Sequence, residues 1–236
     1  MNPDRFFIGW SWRSARGSFA FIALIAALIV IVMTGAGFVL GSSVDDPGGG
    51  HFVGNRTVTG VLVAEPYPIL IDGGHAMLLA GGGKFGVQAQ ATALDGKRVS
   101  VDGFSVERGS IEMLLVWGMH AADGSAEVPV ARSLGSWRLT GEICDGKCYS
   151  GVMRPGSGLA HKACANVCLI NGVPPVLVTT APVEGKQFLL LAGPDGHAVP
   201  DALRDHVAIL QRMDGTVERI ADLLIFRTDI TAAREP

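Results

Sequence analysis

A chain of 236 residues with a net charge of −3, 17% of it charged and 7% aromatic, is long enough for one sizeable or two small domains. It has neither the basic footprint nor the aromatic platforms of a nucleic-acid binder, which excludes that class. Glycine is abundant at 32 residues, and short Val, Leu and Ile runs outnumber helical periodicities, so the expected fold is mainly β.

Residues 1–17 carry Arg5, Arg13 and Arg16 against a single Asp4, with Phe6, Phe7, Trp10 and Trp12 among them. Phe19 to Leu40 then runs without a charge and is long enough to cross a bilayer as a helix. Asp45 and Asp46 follow, with no basic residue before Arg56. This asymmetry predicts a cytoplasmic tail at 1–17, a single transmembrane anchor at 18–41, and the rest of the chain on the far side, with the tail's aromatics at headgroup level. A cleaved signal peptide would have a shorter apolar core ending in a small-x-small site, which this stretch lacks. Residues 42–55, with Pro47 and four glycines, read as a flexible tether.

Beyond the tether the chain repeats itself. Thr57-Val58-Thr59-Gly60 is echoed by Arg138-Leu139-Thr140-Gly141, and Met77-Leu78-Leu79-Ala80-Gly81 by Leu189-Leu190-Leu191-Ala192-Gly193. Val106-Glu107-Arg108 returns as Val217-Glu218-Arg219, and Met113-Leu114-Leu115-Val116 as Leu223-Leu224-Ile225-Phe226. Each copy predicts about five short strands and one brief helix, which suits a small closed sheet and resembles OB-like barrels. The domains expected are 56–120 and 136–230, joined by a linker at 121–135, with an insert at 144–175 in the second. Gly103 and Gly215 are expected to let long strands curl, rather than to sit in Asp-Gly hairpin turns.

Several familiar strings fail for want of context. Gly81 to Gly86 matches G-x-G-x-x-G, but no alternating strand and helix pattern surrounds it, and Lys84 is followed by Phe85 instead of Ser or Thr. No nucleotide is therefore expected. There is no G-x-S-x-G for a serine hydrolase and no C-x-x-C-H for haem. His51, His75, His120, His197 and His206 are scattered and read as surface or loop residues. Chemistry concentrates instead in the insert, which holds all four cysteines, Cys144, Cys148, Cys164 and Cys168, together with His161.

Leu159 to Ile170 predicts a short helix, capped by Ser157 and stopped by Asn171-Gly172 with Pro174-Pro175 beyond. On it His161, Cys164 and Cys168 fall on one face. Residues at that spacing have β-carbons roughly 5–6 Å apart, while a disulfide needs about 3.5–4.5 Å. The spacing therefore favours convergence on a metal over a Cys164–Cys168 bond. Cys148, His161, Cys164 and Cys168 are the candidate metal ligands, with Cys144 as a further ligand or a disulfide partner, and the ion would be zinc, copper or an iron–sulfur centre. If the segment lies in an oxidising compartment, two disulfides between loop and helix, Cys144–Cys168 with Cys148–Cys164 or the crossed pairing, are the alternative, and no metal is then bound. Arg154 and Lys162 could depress thiol pKa values but read as solvated, and Met153 is a possible soft ligand.

Both cysteine pairs are C-x-x-x-C, a spacing similar to the copper-binding loops of cytochrome oxidase subunit II and its copper chaperones, although no histidine follows the second cysteine of either pair. The ordered set Cys148-Tyr149, His161-x-x-Cys164-Ala165-x-x-Cys168 and Gly172-x-Pro174 resembles uncharacterised membrane-anchored or exported bacterial proteins. That resemblance implies a bacterial inner-membrane location, periplasmic domains and a Cys/His site. The function expected is an accessory, metal-handling, thiol redox or electron-transfer component and not an enzyme. The alternative is a structural subunit docked on a membrane respiratory complex. Partners would be the bilayer and another membrane or periplasmic protein.

Overall fold

The computed structural model describes residues 16–43 and 48–235, and the tail's aromatics and the charges Asp4, Arg5, Arg13, Asp45 and Asp46 lie outside them. The chain divides into two units, Met1–Val44 and Asp45–Pro236. The first contains helix α1 (Arg16–Ser43), whose stretch Phe19–Ser42 is long and apolar enough to cross a membrane. Its large apolar side chains from Phe19 to Leu40 are exposed.

The second unit is two closed barrels in tandem, OB-like in strand order. β1 (His51–Val63), β2 (Ile69–Asp72), β3 (His75–Ala80), β4 (Arg98–Arg108) and β5 (Ile111–Ala121) close in the order β1-β2-β3-β5-β4, with α2 (Gln88–Thr92) between β3 and β4. The second barrel comes next as β6 (Arg132–Asp145), β7 (Pro175–Val183), β8 (Lys186–Ala192), α4 (Leu203–His206), β9 (Leu210–Ile220) and β10 (Leu223–Thr228). It closes in the equivalent order, β6-β7-β8-β10-β9. In each barrel the third and fifth strands pair in parallel and the other pairs are antiparallel. β1 begins inside the stretch read as tether, and its pairing with β4 starts at His51. The insert adds a wide turn over Cys148–Val152, broken at Gly151, and helix α3 (Lys162–Ile170).

The apolar runs that announced the repeat have a physical cause. Along β3, Met77 and Leu79 fill the first barrel while Ala76, Leu78 and Ala80 face out; along β8, Leu189 and Leu191 fill the second while Phe188, Leu190 and Ala192 face out. The outward sets do not meet water. With Ile69, Ile71 and Met113 from the first barrel and Val176, Leu223 and Ile225 from the second, they form one buried cluster that joins the barrels. A strand buried on both faces loses its alternation, so the runs mark the seam as well as the cores.

β4 and β9 run through their Asp-Gly pairs without turning, so these are not hairpins. A register shift falls between Asp102 and Gly103 against β5, the expected bulge. At Gly215 the ladder to β10 is unbroken, and glycine is needed for a different reason, since a β-carbon there would strike the Arg227 carbonyl and the Phe226 ring.

Candidate metal centre

The insert leaves the second barrel at the end of β6 and returns at β7, and its two ends are tied where Gly146 N–H donates to the Pro174 carbonyl at 2.9 Å. Asp145, wholly buried, organises the turn and loop between them. Its Oδ1 accepts the Cys148 backbone N–H at 2.7 Å, and its Oδ2 lies 3.0 Å from His161 Nε2. Farther out, Glu142 Oε1 accepts the Gly158 N–H at 2.6 Å and fixes the loop that leads into α3. Against the first barrel, the Arg108 guanidinium lies 3.9 Å over the Tyr149 ring, which packs edge-on against Phe188.

α3 begins at Lys162, with His161 as its N-cap residue and no side-chain cap, so Ser157 does not cap it and the helix is shorter than its sequence predicts. Residues 158–161 form a separate turn closed by His161 N–H to the Gly158 carbonyl at 2.8 Å. Gly158 sits at φ +72°, outside the helical region, which sets the later start. Cys164 and Cys168, one turn apart, both reach Cys148 in the preceding turn. The three Sγ atoms lie within 4.8 Å of one another. A second triad of buried groups, Asp145, Cys148 and His161, meets the same limit. Cys148 belongs to both.

All four cysteines are free thiols, so neither disulfide pairing of the alternative reading is present. The reason is local. Both pairings need Cys144 to bond with Cys164 or Cys168, and Cys144 turns aside, its thiol 3.4 Å from Glu142 Oε1 within the seam. Burial, and then Glu142, push the Cys144 thiol far up, leaving it a buried neutral group outside both triads. Met153 is half-exposed. Arg154 donates to the Gly50 carbonyl and Lys162 to the Asp205 carbonyl.

Two lysines approach the cluster, Lys84 from the glycine-rich string of the first barrel and Lys147 from the insert itself. Lys84 Nζ, from the loop after β3 of the first barrel, donates to Cys164 Sγ at 2.7 Å. Lys147, buried, donates to the carbonyls of Gly81 and Gly83 and so holds that loop in place. Gly86 N–H completes the latch on the Asn171 carbonyl at 2.7 Å. A β-carbon at Gly86 would run into the Gly172 carbonyl, so this glycine permits the approach of the two barrels' loops. The G-x-G-x-x-G string is thus a cover over the cysteines.

The electrostatics stem from these contacts. Hydrogen bonding between Cys148 and Cys168 raises Cys148, with burial adding to it, and lowers Cys168 against burial and Asp145, helped by Lys84 and Lys147. The bond to Cys164 raises Lys84, and burial lowers Lys147. Three thiolates around one ion at about 2.3 Å would stand about 4 Å apart. The observed cluster is within a small contraction of that, and sulfur-only donors suit a soft ion. Compared with family models, curated proteins and solved structures, the chain matches none.

Proposed function

We propose that this is a membrane-anchored metal-handling protein whose barrels stand outside the cytoplasm, and that Cys148, Cys164 and Cys168 hold a soft transition-metal ion, copper(I) or zinc. The convergence of three sulfurs from two separate elements within 4.8 Å carries the reading. Arg5, Arg13 and Arg16 before the span and Asp45 and Asp46 after it support the orientation. In an oxidising compartment a cluster of free thiols is at risk of oxidation, and metal ligation protects it. Cys164, the one partly exposed donor of the three, gives an incoming protein a ligand to exchange with, as a component passing metal or electrons to a membrane partner requires.

The test is elemental analysis of the full-length chain, purified anaerobically in mild detergent, with thiol counting on denatured, unreduced protein. Stoichiometric copper or zinc and four reactive thiols are expected, with the metal lost in Cys164→Ser and Cys168→Ser. A metal-free protein that binds neither ion on reconstitution, or one with no titratable thiol, would sink the proposal.

A further inference from the structure

We infer that the centre is dinuclear, with Cys148 as a thiolate bridge between the three-sulfur ion and a second ion held by Asp145 and His161. The inference rests on the three-sulfur site proposed for this protein and concerns where His161 belongs. The simplest role for His161 is fourth ligand to the three-sulfur ion. Its ring is placed otherwise, since the groups that gather with it are Asp145 and Cys148, whereas Cys164 and Cys168 gather with Cys148 alone.

The second triad has the marks of a built site. All three donors are buried, and Asp145 is held from one side by the Cys148 N–H on Oδ1, which leaves Oδ2 facing the imidazole. Bonds of about 2.0 Å to oxygen and nitrogen in a tetrahedral shell put those atoms about 3.3 Å apart. The observed 3.0 Å separation needs only a slight opening. Sulfur, nitrogen and carboxylate oxygen together suit a borderline divalent ion, while three sulfurs suit a softer one. The Cys148 thiol proton has already left with the binding of the three-sulfur ion, so the second ion replaces only the proton between Asp145 and His161, which leaves to solvent without any change of oxidation state.

Cobalt(II) titration of the full-length, metal-stripped chain in detergent under anaerobic conditions tests this. Two equivalents should bind, with intense sulfur-to-cobalt charge-transfer absorption, and the second should weaken the paramagnetic resonance signal of the first through coupling across the shared sulfur. His161→Gln and the isosteric Asp145→Asn should saturate at one equivalent, with charge transfer retained and no loss of signal. Saturation of the unaltered protein at one equivalent, two ions whose signals add, or two ions still bound by both variants would each overturn the bridge while leaving the three-sulfur site standing. Absence of sulfur charge transfer in the unaltered protein would remove the underlying reading instead.

Discussion

The two barrels share a strand order and an interior of the same kind, yet only one connection makes them chemically different. Between its first two strands the first barrel spends residues 64–68, whereas the second spends 146–174 and places there three of the cysteines and His161. The first barrel's contribution is the loop after β3, whose Lys84 reaches Cys164. In the second barrel the corresponding loop, Gly193 to His197, is closed by the equivalent bond, Gly193 N–H to the His197 carbonyl at 2.8 Å as Gly81 N–H to the Phe85 carbonyl at 2.8 Å, but has Gly196 where the first barrel has Lys84. The two scaffolds are alike, and the cysteine cluster lies where a loop of one closes over a loop of the other.

The sharpest way to break the comparison is to remove a donor that only the second barrel has. Cys168→Ser should weaken metal binding more than about a hundredfold, beyond the loss typical of groups that merely support a ligand, or about 2.7 kcal/mol. Competition with a chromogenic chelator reads it, and retention of affinity within tenfold would remove Cys168 from the centre. Next comes the contact between the loops. Gly86→Val forces a side chain against the Gly172 carbonyl, an overpacking that should cost about 1–3 kcal/mol. Urea unfolding should show that loss together with faster release of metal, and an unchanged midpoint would mean that the loop does not press on α3.

The elements legible in the sequence were those whose cause is local. The strands, the two closed barrels and the long apolar helix derive from apolar runs, glycine placement and the absence of charge, and the gathering of Cys164 with Cys168 derives from helical spacing. Contacts between the copies were not legible. Leu78 and Leu190 read as core residues, and nothing local distinguishes a side chain facing its own barrel from one facing the neighbour. Lys84 lies far from Cys164 in sequence, within a string whose best-known use is nucleotide binding, and Asp145 looks like the start of an Asp-Gly turn. A signal for Lys84 was present in the repeat itself, because the glycine-rich loop is kept in one copy and replaced by Pro194-Asp195 in the other.

Lys84 sharpens the comparison further, since it is the first barrel's direct contact with a thiol. Lys84→Met removes the ammonium from Cys164 while keeping the length of the side chain. An outer group of this kind should change affinity by about tenfold, with little effect on folding because the side chain is only partly buried. Metal competition and thermal unfolding measured together separate the two effects. A large fall in stability with unchanged affinity would make Lys84 a structural latch.

The smallest effect belongs to a second bridge across the seam, remote from the cysteines. His75, at the start of β3, contacts Glu112 of its own barrel at 2.9 Å through Nε2 and Asp222 of the other at 3.0 Å through Nδ1. Asp222 also accepts the Ala76 N–H at 2.8 Å and lies 3.3 Å from Lys186 Nζ. An imidazole donating to two carboxylates must carry both protons. Burial lowers its pKa, but the bonds to Glu112 and Asp222 outweigh that and lift it above 6.5. Burial raises Asp222, and the Ala76 N–H and His75 overcome this to hold it below 3.8. The histidine's contribution is therefore complete below 6.5 and fades as pH rises through its elevated value, while that of Asp222 is present above 3.8 and fades as pH falls through its depressed one. Together they are strongest between those limits. His75 is nearly half exposed, so the stability lost in His75→Gln should be no more than about 1 kcal/mol at about pH 5.5 and should shrink towards zero at about pH 8.5. Urea midpoints of both proteins at the two pH values measure it, and a loss equal at both would mean that His75 joins the barrels by packing and not by charge.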